Sequence, residues 1–338
     1  MSVSSASPSL DLLEITDLTI AFGDNPVVEG VSLSVGKGEI VGIVGESGSG
    51  KSMTALSVLR LVPEPGRITR GSIRLEGRNL LSLTEKEMRT IRGGRVAMIF
   101  QDPMTSLNPV FTVGEQIAEA VRVHRGADRR TAWTEAVAAM RQVHIADAER
   151  RARQYPGELS GGMRQRVMIA MALAMKPALL LADEPTTALD VTVQAQILAL
   201  INELRHDTGM GVLFITHDLG VVAEVCDRVL VLYSGRVMET ADAATLFRDP
   251  AHPYTQGLLA SLPESLPPGA NRLSYIPGQP PANPGAVTGC PFRFRCPKRM
   301  PGICERELPT VRRETGSVVR CHLYREDLPA APEAGKTR

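Results

Sequence analysis

Gly45-Glu46-Ser47-Gly48-Ser49-Gly50-Lys51-Ser52 is a complete G-x-x-x-x-G-K-[ST] phosphate loop, and it follows the apolar run Ile40-Val41-Gly42-Ile43-Val44. A strand feeding this loop and then a helix is the context in which the motif binds a nucleoside triphosphate. Glycines let the backbone curl so that successive N–H groups face a phosphate. A helix opening near Lys51 adds its positive end. Lys51 supplies a point charge for the β- and γ-phosphates, and the Ser52 hydroxyl is a Mg²⁺ ligand. The loop residues Gly45, Ser47, Gly48, Ser49, Gly50, Lys51 and Ser52 are therefore expected to hold the nucleotide.

The rest of the chain bounds what the triphosphate is used for. At 338 residues it has room for two or three structural units. Its 43% hydrophobic content can fill a core, which must be aliphatic because aromatics make up only 4%. A net charge of +1 gives no argument for a nucleic-acid partner. No apolar stretch reaches the roughly 18 residues needed to span a bilayer. The polar start, Met1 to Ser9, lacks the marks of a secretory signal. The expected location is cytoplasmic, where five cysteines read as thiols or metal ligands.

Patterning places the elements. Residues 12–35 alternate like a small antiparallel sheet, and 73–77 looks like a further strand of it. Thr84-Glu85-Lys86-Glu87 is a capping box that opens a short helix. Residues 96–100 read as a buried strand, 112–155 as largely helical, and 160–175 as another helix. The all-apolar runs 178–182 and 211–215 fit a parallel sheet, with a helix at 192–206 between them, and 229–232 reads as the last strand. Pro and Gly crowd 263–285, which predicts an ordered but irregular extension. Residues 1–10 and 329–338 are expected to be a disordered leader and tail.

A second motif supports the first. Leu179-Leu180-Leu181-Ala182-Asp183-Glu184 is an apolar strand ending in two carboxylates. At the carboxyl edge of an open α/β sheet, Asp183 suits Mg²⁺, and Glu184 suits orienting or deprotonating the attacking water. Further motifs then carry a resemblance. Leu159-Ser160-Gly161-Gly162-Met163-Arg164-Gln165-Arg166 resembles the signature of ATP-binding-cassette (ABC) ATPases. Phe100-Gln101-Asp102-Pro103 resembles their glutamine loop, Thr216-His217-Asp218 their switch histidine, and Ala188-Leu189-Asp190 their D-loop. All stand in the family's order. The resemblance implies that Gln101 contacts Mg²⁺ and the attacking water, and that His217 bonds the γ-phosphate. It implies that Ser160, Gly161 and Gly162 cap ATP held by a second cassette, and that Asp190 of the D-loop is among the nucleotide-contacting residues. Phe22 falls where the family places an aromatic on adenine.

The longer stretch from Phe100 to Pro109 is similar to the dipeptide/oligopeptide permease ATP-binding subunits, whose relatives also serve nickel. Residues 249–259 and Pro277-Gly278-Gln279-Pro280-Pro281 resemble the extension of this branch. Within that extension Cys290, Cys296, Cys304 and Cys321 are spaced C-x5-C-x7-C-x16-C. Four thiols in a reducing compartment suit zinc or an iron–sulfur cluster, and unligated thiols are the third reading. The nine Lys/Arg against three Asp/Glu in 290–325 would offset thiolate charge. Resemblance to the branch implies a [4Fe–4S] cluster on this quartet. Cys226 stands apart and reads as a buried thiol.

The expected fold is α/β, a RecA-like P-loop ATPase core with an antiparallel β subdomain, a helical subdomain and a small irregular Cys-containing C-terminal extension. Residues 11–260 form the nucleotide-binding domain (helical subdomain at about 104–160), and 261–328 the extension. The resemblance implies ATP hydrolysis powering peptide uptake at the cytoplasmic face of the membrane. Its partners would be a second cassette, two permease subunits and an external solute-binding protein. The alternatives are another cargo, such as nickel, or a soluble ABC ATPase acting on nucleic acid or the ribosome. The single cassette and near-zero charge disfavour the soluble enzyme.

Overall fold

The computed structural model describes residues 11–101, 106–187, 189–263 and 274–325. The expected leader and tail lie outside these residues, as do Asp102 and Pro103 of the glutamine-loop motif, the rest of the stretch to Thr105, and Ala188 of the D-loop motif.

Two sheets carry the fold. The smaller is antiparallel, in the order β2-β1-β4-β5, built from β1 (Leu13–Phe22), β2 (Asn25–Val35), β4 (Gly66–Leu75) and β5 (Arg78–Asn79). The larger runs β11-β12-β10-β9-β3-β8-β7-β6. Its parallel centre consists of β3 (Ile40–Val44), β6 (Val96–Ile99), β7 (Leu179–Asp183), β8 (Gly211–Ile215) and β9 (Arg228–Tyr233).

The central strands are apolar throughout because both faces are covered. Successive side chains point to opposite faces, so Val41, Ile43, Leu179, Leu181, Leu213, Ile215, Leu230 and Leu232 pack with the antiparallel sheet. Their neighbours Ile40, Val44, Leu180, Ala182, Val212, Phe214, Val229 and Val231 face the helical side. The β3 strand leads into α1 (Lys51–Val58), and the capping box opens α2 (Glu85–Ile91) as expected. The 112–155 region resolves into α3 (Val113–Arg125), α4 (Arg129–Gln142) and α5 (Ala148–Arg151). Gly126, in left-handed backbone, ends the first, and the Asp128 carboxylate caps the second. Then follow α6 (Gly161–Leu173), α7 (Val191–Thr208), α8 (Leu219–Val225), α9 (Ala243–Arg248) and α10 (Pro253–Ala260). Among the described residues no helix is long and apolar enough to cross a membrane.

One expectation is corrected. The strand over 229–232 is not the last. The chain turns at Ser234-Gly235, both with positive φ, into β10 (Arg236–Asp242), antiparallel to β9. Residues beyond 300 then supply β11 (Val311–Arg312) and β12 (Val318–Val319), with β12 pairing on β10. A register shift between Val237 and Glu239 breaks the period-two signal of β10. The extension is therefore partly woven into the main sheet.

Candidate functional site

The phosphate loop crosses the carboxyl end of β3. Gly45 has φ +155°, and a Cβ there would lie 2.2 Å from the Leu232 carbonyl oxygen, so this position has no room for a side chain. The Lys51 ammonium donates to the carbonyls of Gly45 at 2.7 Å and Glu46 at 3.0 Å. Burial lowers its pKa, against the opposing pull of Glu184, Asp183 and Glu46. A cleft of about 340 Å³ is lined by Phe22, Val27, residues 47–53, Gln101 and Glu184. The structure thus brings Phe22, the loop, Gln101 and Glu184 to one opening.

Three strand ends converge there. Parallel pairing sets Ile99 beside Ala182 and Asp183 beside Ile215, so the residues just past β6, β7 and β8 become neighbours. The Ser52 hydroxyl donates to Asp183 Oδ1 at 3.1 Å. Burial raises the Asp183 carboxyl, and the Ser52 bond partly offsets this. A hydroxyl and a carboxylate side by side, with Gln101 on the same cleft, are the hard oxygen ligands that suit Mg²⁺ bound to a nucleotide. Glu184 has φ +47°, a backbone conformation that side-chain-bearing residues seldom adopt outside constrained sites. Its carboxylate accepts from Gln101 Nε2 at 2.9 Å and Thr187 Oγ1 at 2.9 Å, and His217 Nδ1 lies 3.0 Å away. Burial alone would raise the Glu184 carboxyl, but the bonds from His217 and Thr187 and nearby positive charge bring it below its ordinary value. Glu184 is therefore a carboxylate at neutral pH. Thr187 had no place in the sequence reading; only its position three residues after Glu184 marked it.

Ser160, Gly161, Gly162 and Asp190 do not line this cleft. Ser160 caps α6, accepting from the Met163 N–H at 3.3 Å, and Asp190 caps α7, accepting from Val193 at 2.9 Å. Gly162 faces Val193, whose Cγ1 would stand 2.9 Å from an added Cβ. Helices α6 and α7 thus touch at their N-terminal ends.

Cys290, Cys296, Cys304 and Cys321, all free thiols, line one small cavity of about 10 Å³ with His252 and His322. Burial pushes Cys290 and Cys321 up to about 12. His252 Nδ1 accepts the Tyr254 N–H at 3.0 Å, so in neutral imidazole the proton sits on Nε2, a buried donor with no hydrogen-bond partner among the described residues. Burial holds this ring neutral, its pKa lowered to about 3. Four sulfurs and a spare N–H around one cavity are a donor set chemically suited to an anionic sulfur-ligated group. Among the described residues, however, no three His, Cys, Asp or Glu side chains are gathered to hold a single metal ion. The described geometry therefore lends a metal centre, zinc or cluster, nothing beyond the shared lining of one small cavity. Cys226 is buried as expected, its thiol pushed up to about 12.

With this geometry in hand, comparison with known proteins identifies the lineage. The ABC transporter family model matches residues 28–187, and the oligopeptide/dipeptide transporter C-terminal region matches 238–304. The probable peptide ABC transporter ATP-binding protein y4tR of Sinorhizobium fredii is 53% identical, covering 90% of this chain and 93% of that one. The oligopeptide transport ATP-binding protein OppD of Salmonella typhimurium is 48% identical, covering 95% and 96%. The dipeptide transport ATP-binding protein DppD of Escherichia coli is 47% identical, covering 94% and 98%. Among solved structures, dimeric MJ0796, a bacterial ABC transporter cassette, superposes with a TM-score of 0.61 at 30% identity, covering 68% of this chain and 98% of that one. The phosphate loop, the strand-end carboxylates and the C-terminal match agree: this chain belongs to the ABC transporter ATP-binding proteins, in the oligopeptide/dipeptide branch, and is an ATPase.

Proposed function

We propose that the chain is the ATP-hydrolysing subunit of a membrane importer of di- and oligopeptides. The observation that carries this is the match over 238–304 to the oligopeptide/dipeptide C-terminal region, joined to near-full-length identity with peptide-transport subunits. In this reading residues 11–260 form the nucleotide-binding domain, with its helical subdomain at about 104–160, and 261–328 the extension. Lys51 and the loop N–H groups hold the phosphates, and Phe22 meets the adenine. Ser52, Asp183 and Gln101 hold Mg²⁺, which supplies charge neutralisation on the phosphates. Glu184 takes the proton of, or orients, the attacking water, and His217 donates to the γ-phosphate. Ser160, Gly161, Gly162 and Asp190 serve ATP bound by a second cassette; that they do not line this chain's own cleft, and the dimeric relatives, support this. The complex would sit at the cytoplasmic membrane face under two permease subunits, fed by an external solute-binding protein.

The Cys290, Cys296, Cys304 and Cys321 quartet would hold a [4Fe–4S] cluster, a reading that rests on the branch resemblance and on the four thiols lining one small cavity. Anaerobically purified protein should then contain iron and acid-labile sulfide; absence of both refutes it. The importer reading is tested by affinity purification from detergent-solubilised membranes with mass spectrometry. Two multi-spanning subunits and a second cassette are expected. Ribosomal or nucleic-acid partners with no membrane protein would overturn it.

A further inference from the structure

We propose that Arg295, in the Cys-bearing extension, is a positioning residue for the phosphate loop, acting through Glu46. The two residues are 249 positions apart. Arg295 meets the Glu46 carboxylate with both arms of its guanidinium, Nη1 to Oε2 at 2.6 Å and Nη2 to Oε1 at 3.0 Å. The remaining donors are also used: Nη1 to the Tyr233 hydroxyl at 3.3 Å, Nη2 to the Ile276 carbonyl at 3.1 Å, and Nε to the Pro277 carbonyl at 2.8 Å. Every N–H of the guanidinium thus has an acceptor, and the side chain is only 6% exposed. A lysine has no planar fork to reproduce this.

Glu46 is the second residue of the phosphate loop and is held at every polar group. Its N–H donates to the Tyr254 hydroxyl at 2.9 Å. Its carbonyl accepts from the Lys51 ammonium at 3.0 Å and the Ser49 N–H at 3.2 Å. The residue that Arg295 and Tyr254 hold is therefore flanked by the two carbonyls, Gly45 and Glu46, that take the Lys51 ammonium. The Arg295 charge also offsets a carboxylate close enough to Lys51 to act on its ammonium. The anchor itself is rigid: Phe292 packs on both Tyr233 and Tyr254, with ring centroids 5.3 and 5.2 Å apart. Arg295 follows the turn Pro291–Phe294, which Cys290 opens, and Cys296 comes next. The thiol loop and the loop that binds ATP thus share one bidentate ion pair.

The inference rests on residues 45–52 being the ATP site, so Lys51→Ala is measured alongside. The assay is equilibrium binding of a fluorescent ATP analogue with Mg²⁺ to the purified full-length chain, with thermal unfolding recorded separately. Arg295→Met should weaken binding about tenfold, equivalent to about 1.4 kcal/mol. Arg295→Lys should recover only part of that loss. Arg295→Met combined with Glu46→Gln should bind better than Arg295→Met alone, because the stranded carboxylate is gone. Arg299→Met, which breaks an exposed pair with Glu305 in the same extension, should leave affinity unchanged. A bridge that only glued the extension in place would lower the unfolding temperature in Arg295→Met and leave affinity within twofold; that result overturns the proposal, as does strict additivity with Glu46→Gln. Should Arg295→Met not fold, Arg295→Lys and Glu46→Gln each decide it by the same affinity criterion. Unchanged binding in Lys51→Ala would instead refute the ATP-site assignment, and this inference with it.

Discussion

Gly42→Ala is a demanding test of the sheet that aims the phosphate loop. Gly42 lies at the centre of β3, paired with Phe214 on one side and Val229 on the other. A Cβ built there would stand 2.8 Å from Cys226 Sγ and 3.6 Å from Val222 Cγ1. Favourable contact lies at about 3.5–4.0 Å, so the methyl arrives about 1 Å too close to a sulfur that is itself buried. Overpacking of this kind costs about 1–3 kcal/mol, or about 2–4 °C of unfolding temperature per kcal/mol. Cys226→Ala alone removes a buried sulfur and should cost about 1 kcal/mol. The double variant, however, places one methyl where the sulfur stood. It should be no less stable than Gly42→Ala alone, giving a coupling of about 1–2 kcal/mol. Thermal unfolding of the four proteins decides the matter. Losses that add to within about 0.5 kcal/mol, or a Gly42→Ala protein as stable as the parent, would refute the packing argument.

Three further outcomes follow from the site and its supports. Glu184→Gln should bind ATP normally while steady-state hydrolysis falls by about 10²–10⁴; substantial residual turnover would contradict its assigned role. Glu239 is fully buried and accepts the N–H groups of Ala251 and His252, both at 2.8 Å, yet burial outweighs these bonds and raises its pKa above 4.5. The folded chain then holds this proton more tightly than the unfolded one, so stability should fall as pH rises from 4.5 through the raised value. Glu239→Gln should flatten that slope in denaturant melts across mildly acidic pH. With its thiol pushed up to about 12, Cys226 is about 10⁻⁴ thiolate at pH 8. Iodoacetamide should leave it unmodified in native protein and label it after unfolding, as read by peptide mass.

The legible part of the chain was the part whose physics is local. An apolar strand, a glycine loop and a helix start are contiguous, so β3, residues 45–52 and α1 could be read directly. The same holds for β7 with Asp183 and Glu184, and for the capping box at Thr84. The meeting of Gln101, Glu184 and His217 is a product of parallel strand register, and the sequence reading reached it only through family resemblance. Two features left no local trace. The bulge in β10 blurs the alternation that would have marked it, and the Arg295–Glu46 pair spans 249 positions. Arg295 stood out in the sequence only within Phe292-Arg293-Phe294-Arg295, among several basic residues of a Cys-bearing loop, with nothing to pair it with Glu46. The four cysteines were noticed as a group, but their uneven spacing says nothing of the shared cavity, which depends on the chain's return through residues 311–319 to the main sheet.

That return has a consequence for the lifetime of the protein in a crowded cell. Without residues 311–319, the outer face of β10 would present open N–H and C=O groups at the border of a large sheet, a template for any passing strand. With them, Glu239 and Thr240 are matched by Val319 and Val318, and the new border is the two-residue β11 ending in Arg312. So short and charged a margin gives intruding chains little to zip onto. A cassette cut after residue 260 should therefore be lost to strand-to-strand aggregation, in addition to losing the Arg295 hold on its phosphate loop.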